Sequence, residues 1–82
     1  MMAVHVTRHA CTRYVERINP TLTPAEARAT IERSAKAIET AQRFGCRVVI
    51  AGRAKLLLDG TRVVTVILRG WPTNTLHREI LR

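Results

Sequence analysis

Between Thr7 and Ile18 the residues Ala10, Cys11, Tyr14, Val15 and Ile18 recur at helical spacing, and Thr7 stands where an N-cap belongs. The pattern predicts a first helix over this stretch. Asn19-Pro20 ends it, because the residue before a proline is driven out of the α region. Thr23-Pro24-Ala25-Glu26 then joins an N-cap, a proline at the first helical position and a glutamate three residues after the cap. From there Ala27, Ile31, Ser34, Ala35, Ile38 and Ala41 form a narrow stripe, with Arg28, Glu32, Lys36, Glu39 and Arg43 on the other side. The pattern predicts one long second helix, closing at Phe44-Gly45 with Gly45 as its C-cap.

Beyond Gly45 the period changes. Runs rich in β-branched residues, Cys46 to Ala51, Ala54 to Leu58 and Arg62 to Leu68, are separated by turn residues and predict three strands. Asp59-Gly60 fits a two-residue hairpin turn. That register places Leu56 and Leu58 with Val63, Thr65 and Ile67 on the face that meets the helices. Arg53, Lys55 and Arg62 then share the other face with Leu57, Val64, Val66 and Leu68, a set too apolar to be simply solvated. Ala3 to Val6 reads as an added edge strand, and Thr73 to Leu81 as a short terminal helix. The expectation is an α+β domain: two N-terminal helices packed on a three- or four-stranded antiparallel sheet.

At 82 residues the chain holds one core and not two. No stretch reaches the roughly 20 apolar residues of a membrane span, and the N-terminus has no apolar signal-peptide run, so the expected setting is soluble and cytoplasmic. Charge carries more information. Fourteen Lys and Arg against six Asp and Glu leave a net +8. A field of that strength seeks an anionic partner, with nucleic acid first among the candidates. Only Lys36 and Lys55 are lysines; the remaining basic residues are arginines, suited to bidentate contact with phosphate or carboxylate. Cys11 and Cys46 are too few to staple a secreted scaffold and show no Cys-x-x-Cys spacing.

Candidate chemistry gathers on the first helix. His9, Arg13 and Arg17 recur at i, i+4 and i+8 on one side, with Glu16 beside Arg13. Histidine as a residue type can move a proton near neutral pH, and arginines can hold a phosphodiester and stabilise charge developing on it. Such a set would cleave RNA without a metal, the 2′-hydroxyl acting as nucleophile. The same spacing also suits an ordinary solvated face with a Glu16 ion pair, and spacing alone favours that simpler reading. Thr65 and Arg69, at i and i+4 on the last strand, would add a hydroxyl and a second phosphate contact, although a threonine chosen for β-propensity and an arginine ending a strand is the favoured reading of the pair. Arg53 and Lys55 supply further positive charge. A metal site built from His9, Cys11 and Cys46 matches no common zinc spacing, so neither metal nor cofactor is expected. His5 and His77 stand apart. The three aromatics Tyr14, Phe44 and Trp71 do not make a base-stacking platform; Trp71 beside Arg69 would suit contact with a base or a protein, but satellite packing is its favoured role.

The string Thr7-Arg8-His9-Ala10-Cys11-Thr12-Arg13-Tyr14-Val15-Glu16-Arg17-Ile18 resembles the opening of small bacterial and phage proteins with a His-x-x-x-Arg-x-x-x-Arg helix. In those a second helix and a β-meander follow. They look like members of the RelE-like and colicin D-like ribonuclease superfamily, the barnase, EndoU, colicin and RelE group, many of them toxins of toxin-antitoxin pairs. The resemblance runs from about Thr7 to Arg69. By it, His9 would be the acid-base residue, Arg13 and Arg17 would bind the scissile phosphate, and Thr65 and Arg69 would complete the site from the sheet. It further implies an RNA substrate, no metal, and an antitoxin or host protein as partner. The tail from Gly70 to Arg82 falls outside it and would suit a partner-binding element. A second reading uses the same basic surface without catalysis, to dock on a host nucleic-acid enzyme or complex. Exposed edge strands would also allow a homodimer by sheet pairing.

Overall fold

The computed structural model describes residues 4–72. The proposed terminal helix over Thr73 to Leu81, His77, most of the tail and Ala3 lie outside the described residues. Within them the order is β1 (His5–Val6), α1 (Arg8–Arg17), α2 (Pro24–Glu32), α3 (Ala35–Arg43), β2 (Val48–Ala51), β3 (Ala54–Asp59) and β4 (Arg62–Leu68). Three helices therefore stand where two were expected, against a four-stranded sheet ordered β1-β4-β3-β2. The sheet is mixed, since β1 runs parallel to β4 while β2–β3 and β3–β4 are antiparallel. No helix among the described residues is long and apolar enough to cross a membrane.

The N-terminal signals form the helices they announce. The Thr7 hydroxyl accepts from the Ala10 N–H to start α1. At α2 the capping box closes in both directions: Glu26 donates its N–H to the Thr23 hydroxyl at 3.2 Å, and the Thr23 N–H reaches the Glu26 carboxylate at 2.9 Å. The expected single second helix breaks at Arg33-Ser34. There the Ser34 N–H turns to the Ile31 carbonyl, three residues back, before the ladder resumes with Ile38 on Ser34. A straight helix over that stretch would run about 30 Å, about twice the width of a four-stranded sheet. The break lets α2 pack on α1 and β1 while α3 packs on β2 at the far edge.

The core lies between the helices and one sheet face. Ala10, Cys11, Ile18, Ile31 and Ile38 meet Val6, Val49, Ala54, Leu56, Leu58, Val63 and Val66. This corrects the expected face assignment for half of β4. Asp59 pairs with Arg62, so the hairpin turns on Gly60-Thr61, with Gly60 at φ 64 in the first central position that a type II′ turn reserves for glycine. A register shift then falls between Leu57 and Leu58: Leu58 pairs with Val63, but Leu57 pairs with Thr65. The extra residue, Val64, is a β-bulge, and it inverts every side chain beyond it. Val66 and Leu68 join the helix-facing core, while Thr65 and Ile67 move to the opposite face with Lys55 and Leu57. Leu57, Thr65 and Ile67 are fully buried on that second face. The sequence-based view that this face is not simply solvated therefore holds, with a different membership.

Candidate functional site

The candidate helix α1 is fixed to β4 at both ends. At its start the Thr7 hydroxyl donates to the Val63 carbonyl at 2.9 Å, with a longer contact to Val64 at 3.3 Å, so the residue that caps the helix also grips the bulge. At its end, the Arg17 guanidinium donates through Nη1 to the Val66 carbonyl at 3.0 Å. The register explains why that carbonyl needs a donor. Residues 65, 67 and 69 exchange hydrogen bonds with β3, as in the Arg69 N–H to Arg53 carbonyl bond of 2.9 Å, so Val66 and Leu68 face the other way. β1 ends at Val6 and pairs no further than Val63. Where the strand stops, Arg17 takes its place, and the Trp71 N–H closes the Leu68 carbonyl at 2.9 Å.

Arg17 also sits over the Trp71 ring, 4.9 Å from its centroid, and the Trp71 carbonyl accepts from Lys55 Nζ at 2.7 Å. Trp71 thus joins a helix arginine to a sheet lysine, a role the sequence did not reveal because no local period links these positions. The structure therefore brings together Arg17 and Lys55, with Thr65 on the same sheet face as Lys55. Thr65 is fully buried, so its hydroxyl is not at the molecular surface. Arg53 leaves this group. From the β2–β3 turn its Nη2 donates to the Ile18 carbonyl at 2.8 Å, supplying the last turn of α1 with a donor and a positive charge where the helix dipole favours one. Arg69 is exposed just beyond β4.

His9 is exposed in the first turn of α1. Helix geometry places Arg13 about 6 Å further along the axis and Arg17 about 12 Å, so Arg13 is the guanidinium within one turn of the imidazole. Arg13 holds Glu16 at 2.7 Å, the ion pair that the sequence suggested. The arrangement offers an imidazole at one end of a half-exposed cationic stripe whose far end is anchored to the sheet.

The cysteines play no part in this stripe. Cys11 is buried in the core and burial pushes its thiol above the usual range, with the nearby Arg28 pulling the other way. Arg28 was not singled out from the sequence; its Nη1 donates to the Val6 carbonyl at 2.7 Å, closing β1 as Arg17 closes β4. No group of three or more His, Cys, Asp and Glu residues suited to a metal ion occurs among the described residues. Comparison of the chain with family models, with curated proteins and with solved structures finds no match.

Proposed function

We propose that the chain is a small basic RNA-binding protein that cleaves RNA without a metal, of the kind found in toxin-antitoxin pairs, with His9, Arg13 and Arg17 as its working face. The observation that carries this reading is the His9-Arg13-Arg17 stripe on a helix fixed at both ends to one strand. A rigid mount matters because phosphoryl chemistry gains chiefly from positioned charge. In the reaction His9 takes the proton from a 2′-hydroxyl, whose oxygen attacks the adjacent phosphorus. The bond to the 5′-oxygen breaks, the proton passes on to that leaving oxygen, and a 2′,3′-cyclic phosphate remains. Arg13 meets the charge that builds on the phosphoryl oxygens, and Arg17 and Lys55 hold the flanking backbone.

A specific observation favours a second, non-catalytic reading. Arg17, Arg53 and Lys55 each already donate to a backbone carbonyl. Cations used in this way contribute long-range attraction more than direct contact, which suits a module that docks on RNA or on a nucleic-acid enzyme. Incubation of total RNA with purified protein, with and without chelator, separates the two, comparing wild type with His9→Ala and Arg13→Gln after each is shown to be folded. Chelator-resistant cleavage with cyclic-phosphate ends, lost in His9→Ala, supports the enzyme. Salt-sensitive RNA binding without cleavage, unchanged in His9→Ala, moves the reading to the binding module.

A further inference from the structure

The two large hydrophobic residues left exposed among the described residues are Phe44 at 76%, the C-cap of α3, and Ile50 at 46%, in β2, the strand on which α3 packs. β2 is the last strand of the sheet. The Leu58 N–H donates to the Arg47 carbonyl at 2.8 Å, so residues 47, 49 and 51 turn their backbone groups toward β3. Val48 and Ile50 therefore direct theirs outward, and no hydrogen bond from another described residue reaches them. The strand itself is Val48-Val49-Ile50-Ala51, without the lysine, proline or bulge that usually guards such an edge.

Side-chain alternation completes the picture. Ile50 pairs with Lys55 and so stands on the sheet face away from the helices, while Val49 pairs with the core residue Leu56. Phe44, at the C-cap of α3, lies on the helix side, along an open groove of about 740 Å³ that Arg33, Lys36, Ala37, Ala41 and Cys46 also line. An extended segment laid along β2 would place alternate side chains against Phe44 on one side and Ile50 on the other. A single occupant thus accounts for the open backbone groups and both exposed hydrophobics.

We infer that the free edge of β2 accepts an extended, acidic segment of a partner protein, with apolar and acidic side chains in alternation. Charge selects the occupant. Arg33 and Lys36 line the groove, and Arg43 and Arg47 flank Phe44 and the strand in sequence. A second copy of this chain would bring another +8 onto that rim, whereas an acidic strand neutralises it. The inference is independent of whether α1 cuts RNA, since none of these residues belongs to that face.

The test uses the full chain and a blocked eight-residue peptide of alternating Glu and Val. Two control peptides carry Lys in place of Glu, or N-methyl groups on the central amides. Binding of the acidic peptide should slow amide exchange at Val48 and Ile50 by about tenfold or more, with the chain monomeric beforehand. Alkylation of exposed Cys46 should slow in parallel, while buried Cys11 stays unreactive throughout. The lysine and N-methyl peptides should give neither effect, and Ile50→Lys, an exposed substitution, should abolish both. Equal binding by either control overturns the inference, because acidity or main-chain pairing would then be irrelevant. So does the absence of protection at Val48 and Ile50, or their protection by self-association before peptide is added, which would make the occupant a second copy.

Discussion

The two edges of the sheet are built on opposite plans. Along the outer side of β4 the described carbonyls meet donors: Thr61 from the His5 N–H, Val63 from Thr7, Val66 from Arg17 and Leu68 from the Trp71 N–H. Along the outer side of β2, Val48 and Ile50 have no such donors among the described residues. The helices repeat the contrast. α1 buries Ala10 and Cys11, is capped by Thr7 and ends on Arg53, whereas α3 buries only Ile38 and its Ser34 makes no side-chain cap bond. A side chain that finishes a backbone edge commits the chain to one arrangement there, and an edge left unfinished keeps a surface open to another molecule. The contrast locates rigidity on the α1 flank and availability on the α3 flank.

The hardest test of that contrast is Ile38→Ala. Removing the only fully buried side chain of α3 should cost about 2–5 kcal/mol, a large part of the roughly 5–15 kcal/mol that small domains possess. Amide exchange should show α3 and β2 opening together while α1 and β4 keep their protection. Uniform loss across the domain would show that the two flanks melt as one unit and would remove the distinction. Arg17→Ala tests the other flank. It strips the Val66 carbonyl of its donor and removes the contact with Trp71, so stability should fall by about 1–3 kcal/mol in denaturant titration. Arg17→Lys should recover part of that loss but not the planar stacking on Trp71.

Legibility in the sequence follows local spacing and cuts across both flanks. The caps at Thr7 and Thr23 announce themselves through local spacing, and α1 and α2 begin where those residues place them. The α1 face with His9, Arg13 and Arg17 was readable for the same reason. What local pattern does not encode is the bulge at Val64, a single unpaired residue in an unbroken β-branched run, and that residue decides which face Thr65 and Ile67 occupy. The break at Ser34 was hidden because Ile31 and Ile38 are seven residues apart and fall on one stripe of a continuous helix. The bend serves tertiary packing, with α2 on α1 and β1 and α3 on β2. The parallel pairing of β1 and the carbonyl bonds of Arg17, Arg28, Arg53 and Lys55 likewise depend on tertiary placement, so an arginine finishing a strand edge looks the same in sequence as one awaiting a phosphate.

Capping sharpens the comparison at a finer scale. Thr7→Ala loses the bond from Ala10 and the grip on Val63, and should destabilise by about 1–2 kcal/mol. Ser34→Ala, at the equivalent position of α3, should change stability by less than about 0.5 kcal/mol, since no cap bond exists to lose. Thermal or chemical unfolding of the two variants side by side measures the difference directly. Equal losses would mean that Ser34 caps α3 after all, and that the flanks are better matched than the hydrogen bonds indicate.

The smallest expected effect concerns Phe44. A phenylalanine at 76% exposure has almost no apolar contact to lose, so Phe44→Ser should alter stability by no more than about 0.5 kcal/mol. Against Ile38→Ala in the same helix, this sets one residue that holds α3 to the sheet beside one that holds nothing in the isolated chain. A large destabilisation on Phe44→Ser would show that the ring already has an internal partner and is not held out for another molecule. If stability is unchanged while the acidic peptide no longer protects Val48 and Ile50, the ring serves association alone. Only that second combination fits a flank whose unfinished edge and exposed ring belong to one surface.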